Sequence, residues 1–165
     1  MNVVKRYNLT QYDVLAPSAE PVAPVKPTIT YAVKTASGIK PDVSNGKPTG
    51  TDEDIVAIKI GVDYGEIEYR VHCVGEWLPV VSGNDWNDYE NGYAGDDVSP
   101  IDAIQIYYYS DLLRTDVYEA VYAVRIGDEY LPSVHDTDWE YEDGDNTAGL
   151  FDEPFNQIMI VLDLC

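Results

Sequence analysis

The most informative part of the sequence begins with Ile67-Glu68-Tyr69-Arg70-Val71. It continues with Gly75-Glu76-Trp77-Leu78-Pro79-Val80-Val81, then Gly95, and then Pro100-Ile101-Asp102-Ala103-Ile104-Gln105-Ile106. The same order occurs in an earlier copy and in a later copy. The repeat tyrosine precedes the first isoleucine of a closing Ile-x-Ile by 27, 35 and 36 residues, from Tyr31 to Ile58, Tyr69 to Ile104 and Tyr122 to Ile158. A pattern kept in one order three times predicts an internal repeat, which constrains the architecture before any single element does.

Within each copy, apolar side chains alternate with polar ones as in half-buried strands. The expected outward-facing positions include His72 and Gln105, and clusters of Gly, Asn and Asp mark the turns. The sequence therefore predicts an all-β domain of three quasi-equivalent β units. A single unit cannot bury its own apolar face, so we expect the units to surround a pseudo-threefold axis in a β-prism or β-trefoil-like body. A linear stack is the alternative, but it would leave apolar edges exposed.

Composition divides the chain into three parts. Residues 17–27 contain four prolines and predict an extended, semi-rigid linker. Residues 1–16 form an N-terminal segment without clear periodicity, and residues 28–165 hold the three repeats, at 28–65, 66–114 and 115–165.

Charge is distributed unevenly and limits the classes of partner. The net charge is −20, and all of it lies in residues 66–165, which contain three basic and 23 acidic side chains. Such a surface repels polyanions, so we expect no nucleic-acid partner. Uncharged glycans, cationic partners and bound cations stay compatible with it.

The sequence contains no apolar run of the length that a membrane helix needs, and its N-terminus has no apolar secretory core. We therefore expect no membrane partner and no signal peptide of its own. The two cysteines, Cys73 and Cys165, predict no disulfide framework.

Four segments of the second copy carry a family resemblance. They are Tyr-x-Val-His, Gly-x-Trp-Leu-Pro-x-Val, Asn-Gly-Tyr-Ala-Gly (91–95) and Ile-Asp-Ala-Ile-Gln-Ile (101–106). Their order resembles the repeated C-terminal cell-wall-binding domains of phage endolysins that act on clostridia-like Gram-positive bacteria. The first copy is also similar to the clostridial hydrophobic repeats built around a Gly-Trp pair. The position of Trp77 in the second copy is held by Ile39 or Lys40 in the first copy and by Tyr130 in the third. The resemblance covers roughly residues 28–162.

This resemblance implies a non-catalytic module that binds peptidoglycan or a secondary wall polysaccharide and targets a peptidoglycan hydrolase. The catalytic domain would be a separate or linked partner. Such a protein is expected to be made in the cytoplasm of a phage-infected host and to act at the bacterial cell wall. Several weak sites on the three units would then add by avidity. The alternative is a protein-interaction, homo-oligomerisation or adhesion module.

The predicted ligand-binding residues lie mainly in two insertions that align on an Asp-Trp pair. An indole ring beside carboxylate and amide groups offers a flat face for a sugar ring and acceptors for its hydroxyls. The alternative is that both tryptophans fold back as structural lids. The candidates are Asp85, Trp86, Asn87, Tyr89 and Tyr93 in the first insertion, Asp138, Trp139 and Tyr141 in the second, and Trp77 as a packing residue or stacking platform.

The same loops offer hard oxygen ligands for calcium, but the full EF-hand spacing is not met. We expect no cofactor, with bound calcium as the alternative. Catalysis is also not expected. His72 and Cys73 are neighbours on a predicted strand and face opposite ways, and no HExxH or GxSxG motif is present.

Overall fold

The computed structural model describes residues 26–110, 118–136 and 146–165. The predicted N-terminal segment and most of the linker lie outside the described residues, as do the candidates Asp138, Trp139 and Tyr141.

The described residues form β-strands and no helices, so the prediction of an all-β domain is confirmed. No part of the described chain forms a helix with the length and apolarity to cross a membrane. The strands are β1 (Ile29–Thr35), β2 (Gly38–Ile39), β3 (Val43–Ser44), β4 (Thr49–Gly50), β5 (Ile55–Val62), β6 (Glu66–Cys73), β7 (Glu76–Trp77), β8 (Ala94–Gly95), β9 (Ala103–Tyr109), β10 (Tyr118–Ile126), β11 (Glu129–Tyr130), β12 (Val134–His135), β13 (Ala148–Gly149) and β14 (Gln157–Leu164).

Each predicted repeat contains one long antiparallel pair, formed by its first and last strands. These pairs are β1 with β5, β6 with β9, and β10 with β14. The repeat tyrosine faces the last isoleucine of the closing Ile-x-Ile each time, as Tyr31 with Ile60, Tyr69 with Ile106 and Tyr122 with Ile160. We refer to residues 28–65, 66–114 and 115–165 as the first, second and third units.

A two-residue strand from another unit completes each sheet. Strand β8 of the second unit pairs with β5 of the first, β13 of the third pairs with β9 of the second, and β4 of the first pairs with β14 of the third. The three units are therefore connected in a cycle.

Backbone hydrogen bonds close a second, smaller cycle among the units. Ile101 N donates to Ile55 O at 2.9 Å, Phe155 N to Ile101 O at 3.1 Å, and Ile55 N to Phe155 O at 3.1 Å. All three residues are fully buried, and they lie in one continuous hydrophobic core with the repeat tyrosines. Burial of this shared core is the main favourable term for folding, because apolar area contributes about 25 cal/mol per Å² removed from water.

Two outward-facing positions of the second unit are not exposed to solvent. His72 and Gln105 are buried, with 8% and 5% of their surface exposed. Strand alternation does point them away from the core. They are nevertheless covered, because Trp77 packs on His72 and Thr147 hydrogen-bonds Gln105 on the outer face of the sheet.

Candidate functional site

The first insertion loop, residues 83–93, folds back on itself. Asp85 N donates to Gly92 O at 3.0 Å, and Gly92 N donates to Asp88 O at 2.9 Å. Asp85 Oδ1 accepts hydrogen bonds from Asn87 N at 2.9 Å and from Asn87 Nδ2 at 3.1 Å. Asp85 and Asn87 are thus exposed to solvent but are already paired with each other.

The aromatic side chains of this loop divide into an exposed and an enclosed set. Tyr89 is 74% exposed. Trp86 is half-buried with its ring centre 5.2 Å from that of Tyr93, and its indole nitrogen is buried without a hydrogen-bond partner. Lys59 Nζ lies 6.0 Å from the Trp86 ring centre. The geometry of Trp86 is that of a ring packed against the domain rather than one held open for stacking.

Tyr93 is 6% exposed and its hydroxyl donates to Asp97 Oδ2 at 2.6 Å. Burial, reinforced by Asp97, raises the pKa of Tyr93 to about 12. Tyr93 also lines a groove of about 320 Å³ between Leu78 and Asp96, with Tyr89 on its outer wall.

The described residues form a second cleft around Trp77, between the second unit and residues 147–151 of the third unit. Its volume is about 430 Å³, and it is lined by Arg70, Trp77, Gln105, Thr147, Gly149, Leu150 and Phe151. Trp77 is half-buried in β7, opposite His72 in β6. None of these lining residues is acidic, although the chain has a net charge of −20.

Two aromatic rings form the apolar walls of this cleft. The ring centres of Trp77 and Phe151 are 6.2 Å apart, with an interplanar angle of 85°. Both rings pack edge-on against His72, with centre distances of 5.4 Å for Trp77 and 4.6 Å for Phe151. Phe151 is 56% exposed, so it presents apolar surface to a ligand.

A chain of hydrogen bonds forms the polar edge. Arg70 Nε donates to Gln105 Oε1 at 2.8 Å, and Gln105 Nε2 donates to Thr147 Oγ1 at 2.8 Å. The Arg70 guanidinium carbon also lies 4.7 Å from the Trp77 ring centre, a cation–π arrangement. These contacts hold three polar side chains beside the rings before any ligand arrives, which lowers the ordering cost of binding.

Asp102 fixes the floor of the cleft. Its Oδ1 accepts a hydrogen bond from His72 Nδ1 at 2.6 Å, and its Oδ2 accepts one from Asp152 N at 2.8 Å. The carboxylate therefore joins the second unit to the backbone next to Phe151. Gly149 allows this approach, because its φ is +119° and a Cβ there would lie 2.1 Å from Asp102 O.

Neither a metal centre nor an activated thiol is evident in the described residues. No three His, Cys, Asp or Glu side chains there come together in a group that could hold a metal ion. Burial raises the pKa of Cys73, and the carboxylates of Asp96, Asp102 and Glu76 add to the effect. A thiol with a raised pKa is less nucleophilic at neutral pH.

Of the predicted ligand residues that the structure describes, Trp77 alone lines the cleft. Trp86, Tyr89, Tyr93, Asp85 and Asn87 belong to the neighbouring loop, and Asp138, Trp139 and Tyr141 are not described. Sequence reasoning missed Phe151 and the Arg70–Gln105–Thr147 edge. A comparison of the three copies could have found them, because residues of other types stand at the matching positions of the other two copies.

Comparisons with known proteins found no matching family model, no matching curated protein and no matching solved structure.

Proposed function

We propose that this chain is a non-catalytic saccharide-binding module that targets a peptidoglycan hydrolase to the cell wall of Gram-positive bacteria. The observation that carries the proposal is the cleft between Trp77 and Phe151, with its polar edge of Arg70, Gln105 and Thr147. Flat apolar faces beside fixed donors and acceptors match the C–H faces and the hydroxyls of a sugar ring.

The charge of the whole chain favours an uncharged saccharide. Because the chain as a whole repels anions, a polyanionic wall polymer would be a poor ligand. The described lining of the cleft includes the cation of Arg70 and no carboxylate. An uncharged stretch of glycan, from peptidoglycan or from a secondary wall polysaccharide, is compatible with this charge.

We also infer that the three units surround a shared pseudo-threefold axis. Two observations support this arrangement: the cyclic exchange of the short strands β4, β8 and β13, and the closed set of hydrogen bonds among Ile55, Ile101 and Phe155. A β-prism and a β-trefoil-like body both have such an axis.

The connection to a hydrolase rests on the resemblance to endolysin wall-binding domains. In that role, residues 17–27 would separate the module from its catalytic partner, since proline-rich segments act as semi-rigid spacers. The protein would be made in the cytoplasm of an infected host and would act at the wall, where binding raises the local concentration of the enzyme.

Cosedimentation with purified walls tests this function. Fluorescently labelled protein is mixed with walls from a panel of Gram-positive bacteria, and wall sugars are added as competitors. We expect wild type to sediment and Trp77→Ala to lose at least about tenfold in affinity for the walls. A double variant, Trp86→Ala with Trp139→Ala, measures whether the insertion loops add to binding. Absence of wild type from every wall pellet would refute the proposal.

The second candidate function is protein interaction or homo-oligomerisation. It is favoured by adjacent exposed apolar side chains, Leu150 at 46% and Phe151 at 56% exposure. Light scattering during size-exclusion chromatography, combined with the wall assay, separates the two candidates. A pure assembly module would oligomerise and would not be retained on walls.

A further inference from the structure

We propose that saccharide binding is confined to the second unit and that Phe151 is the residue that determines this. The inference rests on the proposed saccharide-binding function and deepens it, because it replaces avidity among three units with one site per chain. It comes from comparing one position in the three units. The short strands β4, β8 and β13 each pair with the sheet of another unit and are called crossing strands here, and the position is the second residue after the glycine of each crossing strand. That position holds Asp52 after Gly50, Asp97 after Gly95 and Phe151 after Gly149.

The three glycines occupy equivalent places. Gly50, Gly95 and Gly149 have φ values of +115°, +123° and +119°, and each approaches a backbone oxygen of the adjacent long strand or its lead-in residue. A Cβ would lie 2.1, 2.3 and 2.1 Å from that oxygen, respectively. The residue two positions later therefore leaves each crossing strand from a matching starting point.

On the third unit this residue forms an ion pair across the matching position. Asp52 Oδ1 accepts a hydrogen bond from Arg125 Nη2 at 2.7 Å, and Thr51 O accepts another from the same nitrogen at 3.0 Å. Arg125 is the strand residue opposite Tyr130, as His72 is opposite Trp77. The position that faces the cleft in the second unit is thus occupied by a carboxylate–guanidinium contact in the third.

The first unit carries the same kind of ion pair. Lys34 Nζ donates to Asp97 Oδ1 at 2.8 Å, and Lys34 is the strand residue opposite Ile39. Asp97 Oδ2 is also occupied, because it accepts the hydrogen bond from Tyr93.

The second unit has neither the carboxylate nor the long cation at these positions. His72 stands where Lys34 and Arg125 stand in the other units, and it is hydrogen-bonded to Asp102 below the cleft instead of to a residue across it. Phe151 stands at the aspartate position and packs on His72 with a centre distance of 4.6 Å. Because the Phe151 ring packs on His72, the space in front of Trp77 stays accessible.

The polar edge is also particular to the second unit. The cross-strand pair Arg70 and Gln105 corresponds to Ala32 and Lys59 in the first unit and to Ala123 and Met159 in the third. Neither of those pairs can form the amide and guanidinium edge. Among the described residues, one unit thus combines two aromatic walls with fixed hydrogen-bonding groups and lacks the aspartate–cation contact of the other two units. We therefore expect one ligand per chain, with affinity set by this cleft alone.

A matched set of variants tests the inference in the wall-sedimentation assay. Phe151→Asp installs the carboxylate that the other two units have, and we expect at least a tenfold loss of wall affinity. Ile39→Ala and Tyr130→Ala truncate the residues that correspond to Trp77 in the first and third units, and we expect wall affinity within twofold of wild type. Thermal unfolding of each variant establishes that it is folded.

A titration of wild type provides a test that no folding defect can affect. The probe is the mixture of soluble glycan fragments that a muramidase releases from the same walls, and the readout is the set of indole N–H signals in a ¹⁵N NMR spectrum. We expect the Trp77 signal to shift and the Trp86 signal to stay, with saturation at one fragment per chain.

The outcomes separate this inference from the proposed function. Suppose that wild type is retained on walls. Full binding by Phe151→Asp, a loss in Ile39→Ala or Tyr130→Ala, or saturation at two or three fragments would each overturn single-unit binding and leave wall binding intact. Failure of wild type to bind walls would overturn both.

Discussion

The Oδ1 atom of Asp102 lies 2.6 Å from Nδ1 of His72, inside the sheet floor that supports Trp77 and Phe151. The other carboxylate oxygen holds Asp152 N at 2.8 Å. One side chain thus satisfies a buried ring nitrogen of the second unit and a backbone donor of the third, and it sets the position of the loop that carries Phe151.

Replacing this carboxylate should destabilise the domain and weaken the cleft together. In Asp102→Ala, two donors lose their acceptor, and each unsatisfied buried group costs about 1–3 kcal/mol. We expect the free energy of unfolding, measured with urea, to fall by about 3 kcal/mol. Asp52→Ala is the control, because its side chain is 92% exposed and its ion pair with Arg125 should contribute less than about 1 kcal/mol. Equal losses in the two variants would contradict the assignment.

Asp136 should make stability depend on pH. Burial raises its pKa to about 7; hydrogen bonds from Ala120 N and Tyr108 N oppose the shift, and the nearby Glu119 carboxylate adds to it. His135, the adjacent residue, pairs with Glu119. The unfolded carboxyl has a pKa of about 4. Between these values the folded state holds a proton that the unfolded state has released, so this group's contribution to stability is lost as the pH rises from about 4 to 7.

The variant Asp136→Asn isolates this effect. Its amide oxygen can accept the same backbone hydrogen bonds and does not ionise. We expect its unfolding free energy, relative to wild type, to rise by roughly 2–4 kcal/mol between pH 4.5 and pH 7.5 in urea titrations. Asp128→Asn, in the exposed turn after β10, is the control and should stay parallel to wild type. A constant difference between Asp136→Asn and wild type would count against a raised pKa.

The crossing glycines should tolerate no side chain. Gly149→Ala adds a Cβ 2.1 Å from Asp102 O, at a φ of +119°. Gly38→Ala is a matched control, since its φ is +110° but no atom lies within 4 Å of the added Cβ. Backbone strain of about 1–2 kcal/mol applies to both, and the clash applies only to Gly149, which should lose at least about 2 kcal/mol more. Thermal and urea unfolding would measure the difference, and equal costs would show that the close approach is absent.

The repeat tyrosines should contribute equally to stability. Each hydroxyl accepts a hydrogen bond from a backbone N–H of another unit: Tyr31 from Ile160 at 3.0 Å, Tyr69 from Ile60 at 3.1 Å and Tyr122 from Ile106 at 3.1 Å. Burial raises the pKa of Tyr31 to about 12 and that of Tyr69 further, so both hydroxyls stay protonated and donate to Lys47 O and Gly83 O.

We expect Tyr31→Phe, Tyr69→Phe and Tyr122→Phe each to lower the unfolding free energy by about 1–3 kcal/mol, with values that agree within about 1 kcal/mol. Tyr89→Phe, on the exposed loop, should have no measurable effect. A cost at one tyrosine only would argue against three equivalent inter-unit contacts.

Some features of the fold could be read from the sequence because they are local. The alternation of Tyr69, Val71 and Cys73 predicts a strand, and three copies of that pattern predict three strand pairs. The pairings of β4, β8 and β13 could not be predicted in the same way, because a two-residue strand has no period to read. Gly95 and Gly149 align in the repeat. The need for glycine at these positions appears only in the structure, where each lies against the backbone of a different unit.

The candidate site was predicted in part for the same reason. Trp77 stands out in the sequence, and an aromatic residue on a strand edge is a reasonable binding candidate. Phe151 could not be associated with it, since the two residues belong to different units and meet only through the pairing of β13 with β9. The burial of His72 likewise depends on partners that cover the outer face from another part of the chain.

By itself, the sequence determined that the chain forms strands, that it forms them in three similar units and that its surface repels polyanions, because side-chain alternation and charge act over short distances along the chain. What the residue at each of three similar positions contacts follows only from the tertiary structure. That outcome depends on whether the residue brought in by a neighbouring unit is an aspartate that pairs with a cation or a phenylalanine that packs on a histidine.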